Sequence, residues 1–232
     1  MTDDFVETTV VKAWEEGSRL HGLLLETPVA LRERHGVPGQ YVRARVAGAV
    51  KEAFLALANA PGGPFELLVQ VPSPPDPARA ADRIATLRAG GTLAITAPGG
   101  KGFPVDGEKG RDLLLFAGGS GISAIRSVVE HVAARRNDWG RVILFFGARR
   151  VEDLAYRAAF EGWRAAKVEV EPSLSRPAEG WTGRRGYVQA ALAEVAPDPK
   201  NASAFLAGGK DFSAAVVGAL TNIGVERIFK NF

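Results

Sequence analysis

The sequence predicts a two-domain protein: an antiparallel β-barrel over residues 1–105, then a doubly wound α/β domain with a parallel sheet over residues 106–232. Three observations predict it. Before Pro98, short apolar or alternating runs follow one another between Gly/Pro turns; after Gly110, apolar runs alternate with amphipathic helical stretches. The first of those later runs opens directly into Gly118-Gly119-Ser120-Gly121.

The front runs are Thr8 to Trp14, Leu20 to Glu26, Gln40 to Val46, Phe54 to Asn59, Phe65 to Val71 and Thr92 to Ala97. Turn signals at Pro38-Gly39, Pro61-Gly62-Gly63-Pro64 and Gly90-Gly91 give the spacing of a small barrel or sandwich. Phe54 and Phe65 read as core residues of their strands. One helix is expected over Pro77 to Leu87, whose entry is proline-rich. The Gly/Pro-rich segment Pro98 to Gly110 marks the boundary.

In the back half, Leu113 to Ala117 and Val142 to Phe146 read as buried strands flanking a helix from Ile122 to Arg136. A helix from Glu152 to about Ala165, a strand from Val168 to Leu174, a helix from Tyr187 to Val195 and a strand from Ala204 to Ala207 continue the alternation. A final helix places Phe212, Ala215, Val216, Ala219, Leu220 and Ile223 on one face. Such alternation specifies a parallel sheet.

Composition excludes several classes of function. With 46% hydrophobic and 24% charged residues the chain has an ordinary globular balance. Zero cysteines exclude disulfides, thiolate metal sites and cysteine nucleophiles. The histidines, His21, His35 and His131, are too scattered to suggest metal ligation. The net charge of +3 is dispersed, so no nucleic-acid tract is expected. The apolar runs fall far short of the roughly 20 residues a membrane span needs. The acidic N-terminus lacks a basic leader and apolar core, from which a cytoplasmic location is expected. Serines without a G-x-S-x-G turn argue against a hydrolase. The acidic pairs Asp106/Glu108 and Glu152/Asp153 read as loop solvation and helix N-terminal charge.

A strand running into Gly118-Gly119-Ser120-Gly121 and then into an amphipathic helix can present free backbone N–H groups to a phosphate. A purely structural glycine turn is the alternative.

At these residues the chain resembles the ferredoxin–NADP reductase-like superfamily of FAD/NAD(P)-binding oxidoreductases. The matching stretches are AGGSGISAIRS, ILFFGARRVEDLAYRAAFEGW, SLSRPAEGWTGRRGYVQAAL and GQYVRARV. The resemblance implies that Gly118, Gly119, Ser120, Gly121, Ile122 and Ser123 cradle the pyrophosphate of NADP or NAD, with Arg149 beside the nucleotide. Ser175 and Arg176, with Arg184 or Arg185, match positions that contact the adenosine ribose in relatives, and a guanidinium suits a 2′-phosphate. Gly208-Gly209 resembles the terminal turn near the nicotinamide, and Phe232 the terminal aromatic that covers a ring. FAD is the implied second cofactor, and a separate electron-acceptor protein the implied partner.

The flavin motif of the family, R-x-Y-S, falls on Ala53, Leu55 and Ala56, so Leu55, Ala56, Leu57, Ala58 and Asn59 stand where flavin contacts belong. A plant fruit-ripening-type subgroup carries a similar apolar stretch, and the chain resembles it. The implied function is an NAD(P)H-dependent flavin oxidoreductase. The alternative is a non-catalytic nucleotide- or partner-binding module on the same scaffold.

Overall fold

The computed structural model describes residues 4–195 and 197–231. Strand β1 (Val6–Gly17) turns through Ser18 and Arg19 into β2 (Leu20–Leu25). With β3 (Tyr41–Arg45), β4 (Ala53–Ala56), β5 (Glu66–Gln70) and β6 (Thr92–Ile95) they form an antiparallel sheet ordered β4-β3-β6-β1-β2-β5. A bridge between Leu57 and Leu67 joins the two edges, and the Ala58 N–H donates to the Glu66 carbonyl at 2.8 Å. The sheet thereby closes into a barrel, which leaves no long exposed edge.

Period-two alternation fills the barrel. Val42, Ala44, Ala53, Leu55, Leu67 and Val69 point inward and are buried. The same alternation corrects the expectation for Phe54. It lies between the inward Ala53 and Leu55, is 60% exposed, and rests against Tyr41 with ring centroids 5.5 Å apart. Phe65 is fully buried, as expected. A short helix, α1 (Val29–Glu33), was not foreseen. Helix α2 (Ala80–Ala85) is shorter than the expected 77–87. Asp76 diverts the entry into a turn, accepting the Ala78 N–H at 2.9 Å and donating its own N–H to Asp82 at 2.5 Å.

The back half carries a second sheet of β7 (Asp112–Gly118), β8 (Val142–Ala148), β9 (Glu169–Leu174), β10 (Arg184–Arg185), β11 (Ala202–Ala207) and β12 (Arg227–Lys230). All pairs are parallel, in the order β10-β9-β8-β7-β11-β12. Helices α3 (Ile122–Ala133) and α4 (Phe160–Ala165) share one core layer with the sheet; α5 (Val188–Val195) and α6 (Lys210–Asn222) share the other. Coverage on both faces explains the continuous apolar runs of β7, β8 and β11. The chain leaves β7 through α3 towards β8 and β9, then returns to β11 on the opposite side of β7. That reversal opens a crevice at the carboxyl ends of the strands.

Three back-half expectations are corrected. Residues 152–165 do not form one helix: 3-10 turns at Val151–Asp153 and Arg157–Ala159 precede α4, and Tyr156 has φ +58°. Leu154, Ala155 and Tyr156 are instead drawn across to the front half, where the Tyr156 N–H donates to Glu16 at 2.6 Å. On α6, Val216 and Leu220 are buried, but Ala215 is exposed at the crevice and Ile223, just past the helix end, is 37% exposed. Glu108 is not a solvated loop carboxylate: it is 2% exposed and bonded to Ser203 and Arg227. The edge strand β12 was not foreseen. It pairs with β11, and Phe229 stacks on Phe205 with centroids 4.9 Å apart.

The two halves meet through polar contacts around α3. The Ser127 hydroxyl donates to the Asn59 carbonyl at 2.7 Å and accepts the Gly39 N–H at 3.3 Å. Arg126 pairs with Glu66 of β5 and with Glu130. Among the described residues, no helix is long and apolar enough to cross a membrane, and no cluster of His, Asp and Glu could hold a metal ion.

Candidate dinucleotide site

The turn after β7 is shaped by what a Cβ would meet. Gly119 has φ +54°, the left-handed region that side chains resist, and its Cβ direction is open space. At Gly121 a Cβ would lie 2.3 Å from the Ala207 carbonyl oxygen, so only glycine lets α3 approach β11 this closely. Gly118 packs under the Phe212 ring, 2.8 Å from where its Cβ would stand. A 3-10 turn over Gly119–Gly121 leads directly into α3 without a side-chain cap, and the Ile122 and Ser123 N–H groups are taken by the Gly119 and Ser120 carbonyls, so an anion here would be met by the amides of the glycine turn at the positive end of the helix. Ser123 is buried behind the turn, its hydroxyl donating to the Ser120 carbonyl at 3.0 Å.

The turn opens onto a cleft of about 1050 Å³ between the halves. Its back wall carries Gly118, Gly119, Gly147, Arg149, Ser175 and Arg176, and Tyr187, Phe212 and Ala215 extend it. The front wall is formed by Ser18, Arg19, Leu20, Gln70, Ser73 and Arg79. Of its carboxylates, Asp153 already accepts the Arg150 N–H at 3.2 Å. Among the described residues, Arg19, Arg79, Arg149 and Arg176 make no ion pair. Four guanidinium groups thus share the lining with two carboxylates, Asp153 and Asp211, an excess of positive charge matched to phosphate in charge and geometry.

Of the residues singled out from the sequence, Gly118, Gly119, Arg149, Ser175 and Arg176 meet in this cleft. Ser120, Gly121, Ile122 and Ser123 form the turn and helix start beside it, off the lining. Arg184 and Arg185 lie elsewhere, on a separate hollow of about 460 Å³, where Arg184 pairs with Glu171 at 2.6 Å and with Glu194. Gly208 and Gly209 connect β11 to α6 and are not themselves part of the lining, although Gly208 packs against the lining residue Phe212. Leu55, Leu57 and Ala58 are buried, Ala56 is half-buried, and Asn59 accepts the Glu66 N–H at 2.9 Å. None of these five lines the cleft. Phe232 lies outside the described residues.

Sequence reasoning missed the front wall, Tyr187, Gln189 and Phe212. The one available signal was an arginine, not Gly or Asn, second in a two-residue hairpin turn.

The back wall suits a dinucleotide: a phosphate fits over the open Cβ direction of Gly119, beside the backbone of the Gly119–Gly121 turn at the start of α3. For a flavin, Ala53 and Leu55 point into the barrel core and offer neither charge nor ring. The front wall supplies a different set: Leu20 for an apolar ring, the Gln70 amide for its polar edge, and Ser73 with Arg79 for a diphosphate. The donor chemistry fits FAD through these residues.

A closed barrel, a doubly wound sheet and a phosphate-ready turn facing the barrel across a cleft define a pyridine-nucleotide reductase class of fold. Residues 115–217 match the oxidoreductase NAD-binding domain family. The fruit protein pKIWI502 of Actinidia deliciosa is 31% identical over 208 residues, covering 82% of this chain and 63% of that protein. The sulfhydrogenase 1 subunit gamma of Pyrococcus furiosus is 30% identical over 236 residues, covering 97% of this chain and 77% of that subunit. A ferredoxin NADP+ reductase from Neisseria gonorrhoeae with bound FAD and NADP superposes with a TM-score of 0.80 at 16% identity, covering 98% and 99% of the two chains. The chain belongs to the ferredoxin–NADP reductase-like superfamily of FAD/NAD(P)-binding oxidoreductases, and its likeness to the fruit-ripening-type proteins is real. It spans less than two thirds of the pKIWI502 length.

Proposed function

We propose that this protein takes reducing equivalents from NADPH or NADH and delivers them to a separate acceptor protein through FAD held between its two halves. The observation that carries this reading is the cleft, in which the Gly118–Gly119 turn faces Leu20 and Gln70 of the barrel. In this reading residues 1–105 hold the flavin and residues 106–232 hold the pyridine nucleotide.

The Gly119–Gly121 turn, at the positive end of α3, receives the dinucleotide diphosphate. Arg149 and Arg176, with the Ser175 hydroxyl, hold the adenosine end and favour a 2′-phosphate. Leu20 and Gln70 form the opposing surface, so the nicotinamide is confined between two walls and oriented before reaction. Bound FAD supplies the hydride acceptor and the route for electrons to leave. No side chain of the cleft needs to act as acid or base for that transfer; the task of the chain is binding and orientation.

The test is an absorbance spectrum after FAD loading and desalting, followed by anaerobic addition of NADPH or NADH. A retained flavin spectrum that bleaches supports the reading. Colourless protein that still binds a dinucleotide supports the second reading, a binding module that has lost flavin chemistry. That alternative is favoured by the inward turn of Ala53 and Leu55.

A further inference from the structure

Arg19 occupies the second position of the two-residue turn between β1 and β2, at φ +61°. Glycine or asparagine takes this left-handed conformation readily, whereas a long side chain does so under strain. The turn is clamped to the other half of the molecule. The Ser18 N–H donates to the Glu152 carbonyl at 2.6 Å, and a Cβ on Gly17 would stand 2.8 Å from the same oxygen. One residue pair away, the Tyr156 N–H donates to Glu16 at 2.6 Å. On the barrel side, the Arg19 carbonyl accepts the Val71 N–H at 2.9 Å.

The clamp holds the hairpin tip beside the segment that follows β8, the strand end bearing Arg149. Arg19 lines the same cleft as Arg149 and Arg176, without an ion pair among the described residues. With Arg79, four guanidinium groups share the cleft with the two carboxylates Asp153 and Asp211, and this excess of positive charge favours an anion. We infer that Arg19 is a ligand-contacting residue of the dinucleotide site, contributed by the front half, with its guanidinium on phosphate oxygens of the dinucleotide. The inference rests on the dinucleotide reading of the cleft. It makes nucleotide affinity depend on both halves, because the barrel supplies one of the phosphate contacts.

The experiment is calorimetric titration of NADP+ and of NAD+ into wild type, Arg19→Gly, Arg19→Asn and Arg19→Lys. Glycine and asparagine both accept the turn conformation and remove the cation. Each is expected to weaken nucleotide binding by about tenfold or more and to flatten its salt dependence, with the melting temperature undiminished. Lysine is expected to restore only part of the affinity. Arg150→Gln, a neighbouring arginine off the cleft lining, should change affinity by less than about twofold and so exclude a general charge effect. Selective loss of NADP+ would place the guanidinium on the 2′-phosphate, and equal loss of both nucleotides on the diphosphate. Retention of affinity within about twofold in Arg19→Gly and Arg19→Asn overturns the inference alone. Wild-type protein that binds neither nucleotide overturns the dinucleotide reading with it.

Discussion

Arg227 on the last strand donates through Nε to the buried carboxylate of Glu108 at 2.6 Å, and through a second nitrogen to its other oxygen. The Ser203 hydroxyl donates to the same carboxylate at 2.6 Å, and the Arg111 guanidinium stands 3.6 Å away. These contacts, Arg227 foremost, hold the Glu108 carboxyl below its ordinary value of 4.5. A depressed carboxylate contributes stability that is present above its unfolded pKa and is lost as pH falls through the folded one. Glu108→Ala should cost roughly 1–3 kcal/mol at neutral pH in urea unfolding, by leaving buried donors unpaired. Wild type and Glu108→Gln should differ most above pH 4.5 and converge in acid. Equal urea midpoints at neutral pH would refute the assignment.

His35 gives the opposite kind of acid sensitivity. It is 2% exposed, lies edge-on to Phe65, and neither ring nitrogen makes a regular hydrogen bond. Burial, reinforced by nearby His131 and opposed by the Val37 backbone, pushes its pKa from 6.5 down to about 4. The unfolded chain therefore binds the proton first, and stability falls as pH drops from 6.5 towards 4, by on the order of 3 kcal/mol in total. His35→Phe should flatten this part of the stability profile. An unchanged slope between those pH values would show that other groups carry it.

The six barrel strands were legible because each alternates between turn signals, and the β7–turn–α3 unit because strand, glycines and helix adjoin in sequence. What stayed hidden was set by distant partners. Residues 152–159 have a helical pattern, yet Glu16 and the turn at Ser18 claim their backbone groups. Phe54 looked like core because β-propensity does not reveal the face on which a residue stands. Arg184 and Arg176 look equivalent in sequence, and only the placement of Glu171 and Glu194 removes Arg184 from the cleft. The front wall is assembled from residues 18–20 and 70–79, each unremarkable until the barrel closes.

Two glycines of the turn should fail in different ways. Gly121→Ala places a methyl 2.3 Å from a backbone oxygen of β11, so the helix must move. Gly119→Ala meets open space but must hold φ +54°, a strain of roughly 1–2 kcal/mol, and its methyl enters the cleft. We therefore expect Gly121→Ala to lose more thermal stability, and Gly119→Ala to lose more nucleotide affinity per unit of stability lost. Paired melting and titration experiments test this ranking; a reversed order would rule out the phosphate role of Gly119.

Arg126 joins the halves through Glu66, and both side chains are mostly buried at 15% and 13% exposure. Its guanidinium also reaches Glu130 at 2.8 Å and lies 4.3 Å from the centre of the Tyr156 ring. Burial opposes its charge, but the two carboxylates outweigh that and raise its pKa. Arg126→Met would leave Glu66 and Glu130 without their cation, and should cost about 3 kcal/mol. Proteolysis in the segment 96–111 should quicken if this contact holds the halves together. Unaltered cleavage and stability would show the pair to be energetically neutral.

Under the proposed reading, Arg149 and Arg176 would set the nucleotide preference. NADP differs from NAD by one phosphate monoester on the adenosine ribose, and a guanidinium offers that dianion charge-assisted, bidentate contact. Removing either arginine should therefore weaken NADP+ by about tenfold, or about 1.4 kcal/mol, while NAD+ changes by less than about threefold. Raising the salt concentration should narrow the difference between wild type and variant, since exposed charges are screened. Arg184→Gln serves as the comparison, because Glu171 and Glu194 hold that guanidinium away from the cleft. If Arg149→Ala and Arg176→Ala weaken both nucleotides equally, these side chains act on the shared diphosphate and the protein has no built preference for the 2′-phosphate. If neither nucleotide is affected, the two arginines are solvated at the rim, and the glycine turn at the start of α3 carries the binding alone.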